Sequence, residues 1–266
     1  VSHIHIPDGV LPPWLVALGW VAALALVWIA SSRARRADVR RKVPLLGVVA
    51  ALVLVAMSTE IVPIAYHVNL TVVAGVLLGP WLGAIASFIV VVMLALLGHG
   101  GVTVIGLNTL MIAAEMAIGW GLFRLLARAF GRRHVGWAAA VATVVTLAIT
   151  TTALVGLVAL AGGGGATGRE TGALDPRSLT FANPLSGGIV SVNTLRGEAA
   201  PAKPAAPLSV ARFAAVVYTL GPIGWLLEGL VTAAVLSYVA RVRPGLVFGG
   251  AVSEPARGPA GDEGAH

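Results

Sequence analysis

The chain contains no cysteine. Disulfides, thiolate metal sites and a cysteine nucleophile are therefore excluded, and any transition-metal site must use nitrogen and oxygen donors, with histidine first. Charge is scarce as well: Asp, Glu, Lys and Arg make up only 11% of the residues, against about 25% in a soluble domain. That is too little polar side chain to coat a water-facing globule. A phosphate-cradling GxxxxGK[ST] loop is missing, so the chain does not energise transport by binding ATP in that way, and there is no HExxH helix of the zinc-protease type. What the sequence has in abundance is apolar side chain, at 58%, gathered in long runs rather than alternations. Such runs require lipid as the solvent and predict an all-α, multi-pass bundle in the cell membrane.

The formal net charge of +7 does not point to a nucleic-acid partner. The basic residues form short clusters between apolar runs, the pattern of cytoplasmic loops under the positive-inside rule. Residues 14–30 form a first span. Its positive charge follows the run, in Arg33, Arg35, Arg36, Arg40, Arg41 and Lys42, whereas a cleaved signal peptide carries it in front. Residues 45–57, extended to Val62, form a second span. The next basic cluster is Arg124, Arg128, Arg132, Arg133 and His134. If residues 70–97 were one helix, that cluster would fall on the wrong side. A break at Gly79-Pro80 restores the parity, because proline lacks the backbone donor and stops a helix. Two passes joined by a tight turn are therefore expected, the first starting near 61–66. Further spans cover 102–122, 135–161 and 213–239, the last ending at Arg241 and Arg243. The expectation is seven spans with the N-terminus outside and the C-terminus cytoplasmic. They form one transmembrane domain over 1–243, with a Gly-, Ala- and Pro-rich external loop at 162–209 and a disordered cytoplasmic tail over 244–266.

Six histidines are present: His3, His5, His67, His99, His134 and His266. His134 belongs to a basic loop and His266 ends the tail, where solvated side chains are expected. The other four fall on the outer face in this topology. His3 and His5 stand two apart in an extended segment closed by Pro7-Asp8-Gly9, so both imidazoles point the same way. If the mature chain begins at Val1, its amine, two deprotonated amides and His3 form a four-nitrogen square plane, a geometry suited to Ni(II) or Cu(II). His67 lies in Tyr66-His67-Val68-Asn69, which reads either as a ligand or as interfacial anchoring. Glu60, Glu115 and Glu228 lie in or beside apolar spans and Asn108 is similarly placed. Ionisable groups at that depth face a bundle interior and either serve function or pair structurally.

The segment His5-Ile6-Pro7-Asp8-Gly9-Val10-Leu11 resembles the N-terminal signature of the CbiM/NikM family, the substrate-specific membrane components of energy-coupling-factor cobalt and nickel transporters. Further similarity lies in Val68-Asn69-Leu70-Thr71, in Leu78-Gly79-Pro80-Trp81, in Gly98-His99-Gly100-Gly101-Val102-Thr103 with Gly106 and Asn108, and in Glu228 to Val235 followed by Arg241-Val242-Arg243-Pro244. The resemblance implies a permease subunit, not an enzyme, that captures Co(II) or Ni(II) as cargo and holds no permanent cofactor. It implies ligation by the N-terminal amine, by the amide and imidazole of the signature histidine, and by a second histidine; on this chain the two histidines are His5 and His67. The implied partners are a transmembrane coupling protein, two cytoplasmic ATPases and a small accessory membrane subunit. Here Val1-Ser2-His3-Ile4 precede the signature histidine, so either the Ile4 amide replaces the amine or the site slides to Val1, Ser2 and His3. The family carries Gly before the glutamate of the last span, where this chain has Leu227. A component of the same architecture for a small organic solute is the alternative.

Overall fold

The computed structural model describes residues 11–34, 42–61, 66–98, 101–162 and 210–248. Within them the chain is built of helices: α1 (Pro13–Ala34), α2 (Val43–Ser58), α3 (Thr71–Leu96), α4 (Ile105–Phe130), α5 (Val135–Gly162), α6 (Val210–Val242) and a short α7 (Pro244–Phe248). Between α2 and α3 a two-residue strand, β1 (Glu60–Ile61), pairs antiparallel with β2 (Tyr66–His67), so that Glu60 stands opposite His67. Proline opens α1 and α7, where a missing N–H costs the helix nothing. Five helices among the described residues, α1, α3, α4, α5 and α6, are long and apolar enough to cross a membrane, and α2 is a shorter apolar helix. Large apolar side chains stay on the outside, Val21 at 67%, Trp28 at 73% and Leu230 at 67% exposure among them, as a lipid-facing surface requires.

The direction of each helix follows from its closest contacts. A Cβ built on Gly106 would lie 2.6 Å from the Gly19 carbonyl carbon, and Trp20 Nε1 donates to the Thr103 carbonyl at 2.7 Å. Further along, Ala30 and Ala113 meet in one apolar cluster, so α1 and α4 run the same way. Gly136 abuts Ser237 while Gly229 abuts Ala140, which makes α5 and α6 antiparallel. Arg33, the Arg124–Arg133 cluster, Arg241 and Arg243 therefore all come to one end of the bundle, as the parity argument required. Guanidinium groups there stack on aromatic rings: Arg33 over Trp81, Arg124 over Trp120 and Arg132 over Phe248, at 5.2, 5.1 and 4.8 Å.

The expected break in the third apolar run is present. Gly79 has φ 76° and ψ 175°, and it divides α3 into two legs. Trp81, two residues later, lies under Arg33, so the break sits at the basic end. The leg before it, Thr71 to Leu78, has eight residues and is about 12 Å long at 1.5 Å per residue, far short of the ~30 Å hydrocarbon core. The first leg is thus a half-helix, too short to span on its own, and residues 68–70 leading into it are not helical. Nothing lies within 4 Å of a Cβ at Gly79, yet its backbone conformation is one that essentially only glycine adopts. Gly79→Ala is accordingly expected to destabilise the protein by about 1–3 kcal/mol through backbone strain alone, read as a lower midpoint in thermal unfolding of the detergent-solubilised chain.

Half of the most apolar window of α3 is buried, against 22% for α1, which makes α3 central and α1 peripheral. The first leg packs Val72, Val73 and Val76 against Phe123 and Ala127 of α4, Ala138 and Ala142 of α5, and Leu236 of α6. The second packs Ala86, Val90 and Leu94 against Val49 and Val53 of α2 and Ile112 of α4. One boundary needs correction. Order extends past Arg243: Pro244–Phe248 is helical, with Val247 buried in the same cluster as Val135 and Leu236 and the Phe248 ring under Arg132. An apolar Leu-Val-Phe run docked beside α5 and α6 is a continuation of the bundle.

Candidate functional site

Glu115, Thr150 and Glu228 each lie ten or more residues from either end of α4, α5 and α6, and they meet at mid-bundle. What brings them together is Asn69, 2% exposed. Its backbone N–H donates to Glu228 Oε1, and its side-chain Nδ2 donates to Glu115 Oε2 at 2.9 Å. Its Oδ1 accepts the Thr71 backbone N–H at 3.0 Å, one of the donors that a helix start leaves without an intrahelical partner. Thr71 Oγ1 donates to Glu115 Oε2 at 2.9 Å. On the far side Thr150 Oγ1 donates at 3.2 Å to Glu115 Oε1 and at 3.1 Å to the Thr146 carbonyl.

The physical reason is the half-helix. Irregular backbone at membrane depth is tolerated only where protein surrounds it and satisfies its polar groups. The residues leading to Thr71 are such backbone, and the two acids supply acceptors that a purely apolar bundle lacks. The acids in turn take hydrogen bonds that make an otherwise costly burial sustainable. Glu228 is fully buried, whereas its neighbour Leu227 is 39% exposed. Leu227 points away from the network and leaves Glu228 in place.

His67 lies two residues before Asn69, within about 7 Å of chain, in β2 opposite Glu60, and is half-buried. It was expected at the outer end of a span; the structure sets it next to the mid-bundle network. His134 is exposed, with Nδ1 2.8 Å from the carbonyl of Phe130, the last residue of α4, in keeping with a solvated side chain. Asn108 is buried in α4. Val1, His3, Ile4, His5, His99 and His266 lie outside the described residues. Among the described residues no group of three or more His, Asp or Glu side chains is disposed to hold a metal ion. From sequence, Asn69 is named only as a member of the Tyr66-His67-Val68-Asn69 cluster and of the Val68-Asn69-Leu70-Thr71 similarity, and is given no role of its own. Its signal was a lone amide between Val68 and Leu70, in a chain with two membrane-embedded acids in want of donors.

The family model described as cobalt uptake substrate-specific transmembrane region, CbiM, matches residues 5–246. A protein of Haloquadratum walsbyi named for metal transport is 33% identical over 250 residues, covering 92% of this chain and 94% of that one. A protein of Lactiplantibacillus plantarum named as a fused nickel transport protein is 33% identical over 132 residues, 46% of this chain and 39% of its own length. The crystal structure of a truncated transition metal transporter superposes with a TM-score of 0.68 at 18% identity, covering 90% of this chain and 99% of that one, which establishes a shared fold.

Proposed function

The chain belongs to the CbiM family, and on that premise we propose that it is the substrate-capturing subunit of a cobalt or nickel importer of the energy-coupling-factor type. It is a multi-pass membrane protein and a transport component. Its cargo is Co(II) or Ni(II), held by His67 together with nitrogen donors of the N-terminal segment: the His5 imidazole with the Ile4 amide, or the Val1 amine, backbone amides and His3. The observation that carries this reading is the mid-bundle network, which ties the chain just after His67 to fixed helices, while His67 itself is paired with Glu60 in the β1–β2 ladder. A histidine with such support is a prepared ligand, whereas an interfacial anchor needs none.

The basic end of the bundle faces the cytoplasm and the opposite end, where α1 begins, faces outside, in accord with the positive-inside rule. The ion enters from that outer side, is held at His67 within the bundle, and is released inward when a coupling membrane protein and two ATPase subunits, with a small accessory membrane subunit, drive the change of access. Imidazole and deprotonated amide nitrogens in a plane favour Ni(II) over Co(II). Titrating the purified full-length protein with Ni(II) and Co(II) is the direct test. Saturable one-to-one binding with a preference for Ni(II) is expected. Silence toward both ions, with heat released on adding a small organic solute, would transfer the chain to the alternative class.

A further inference from the structure

Asn69 holds no place in the ligand set above, yet it joins three helices to the segment that carries His67. We infer that Asn69 is the positioning residue of the metal site, fixing the direction of the His67 imidazole and with it the choice among ions; this rests on the reading of His67 as a ligand. Three atoms of this one residue reach three helices: N–H to Glu228 of α6, Nδ2 to Glu115 of α4, and Oδ1 to Thr71 of α3. Thr150 extends the same carboxylate to α5. On the other side of His67, the ladder to Glu60 holds the strand. The imidazole thus stands on a short stretch clamped at both ends, with about two residues of slack on the helix side.

Only asparagine meets the geometry. Aspartate offers no donor to Glu115 and would place a third carboxylate beside two others. Leucine offers neither donor nor acceptor, and glutamine carries its amide one methylene too far to accept from Thr71 two residues on. The clamp bears on selectivity because the candidate ions differ in shape. A square plane demands that the imidazole nitrogen lie in the plane of the other donors, which suits Ni(II), while Zn(II) takes a tetrahedron. A tethered His67 enforces the plane; a loose one lets the ion choose.

Purified Asn69→Ala is therefore expected to bind Ni(II) about 10- to 100-fold more weakly, the usual cost of losing support behind a metal ligand, and to lose less for Zn(II), narrowing the Ni-to-Zn ratio. A second pair keeps the test open if that variant fails to fold. Glu228→Gln retains an oxygen acceptor for the Asn69 N–H and should keep the wild-type ratio, while Glu228→Leu should reproduce the Asn69→Ala pattern. Wild-type affinity and ratio in Asn69→Ala, or equal loss for both ions alongside a lowered melting temperature, overturns the inference. His67→Ala with undiminished Ni(II) binding overturns the reading beneath it instead, and the two results are told apart in one set of titrations.

Discussion

Replacing His67 by alanine is expected to weaken Ni(II) and Co(II) binding by more than about a hundredfold and to reduce uptake to the level of cells lacking the protein. The magnitude follows from comparison. Loss of a group that merely supports a ligand costs about 10- to 100-fold, and loss of the ligand itself must cost more. His67 lies on β2, half-buried and close to the network of Asn69, Glu115 and Glu228, so its removal is expected to leave the helix packing intact and the defect local. His134→Ala supplies the contrast: that ring is exposed at the basic end, bonded to the Phe130 carbonyl, and should bind metal as wild type. Calorimetry on the two variants, with His3→Ala and His5→Ala beside them, divides the possibilities. A large loss in His5→Ala and His67→Ala fits the signature pair. A loss confined to His3→Ala would relocate the cargo to the terminal square plane, and full affinity in His67→Ala would remove this histidine from the site.

The sequence made the membrane class and most helix positions legible, because hydrophobic run length is itself the physical cause of a span. Runs at 14–30, 102–122 and 135–161 lie on α1, α4 and α5. Gly79-Pro80 could be read as a break for an equally direct reason, since charge parity demanded a turn and that dipeptide is where one can form. Depth was not legible. Whether residues before Thr71 stay at a surface or enter the bundle depends on partners from α4 and α6, 46 and 159 positions away, and no local pattern encodes that. Glu115 and Glu228 were visible as misfits in apolar runs, but their shared partner became visible only in three dimensions. The order over Pro244–Phe248 was missed for a similar reason: five residues carry no periodicity, and their docking is decided by Val247 and Phe248 meeting α5, α6 and Arg132.

The fold's own weak point lies one turn beyond that network. A Cβ at Gly75 would lie 2.1 Å from the Met116 carbonyl oxygen and 2.8 Å from its carbonyl carbon. Both are backbone atoms that no rotamer change can move. At Gly83, on the second leg, the nearest atoms are Met116 Sδ at 3.3 Å and Cβ at 3.4 Å, and a methionine side chain can yield. Gly75→Ala is therefore expected to destabilise the protein by about 3 kcal/mol or more, the upper range for overpacking, while Gly83→Ala should stay close to wild type. The larger effect reaches the site as well. Met116 follows Glu115, whose carboxylate takes bonds from Asn69 and Thr71, so pushing the first leg off α4 separates the groups that hold the His67 segment. Thermal unfolding in detergent together with Ni(II) titration should thus show Gly75→Ala losing both stability and affinity. Were Gly75→Ala to lose stability and bind Ni(II) as before, the half-helix would be a structural brace independent of the metal site, and the clamp on His67 would have to reside in the hairpin alone.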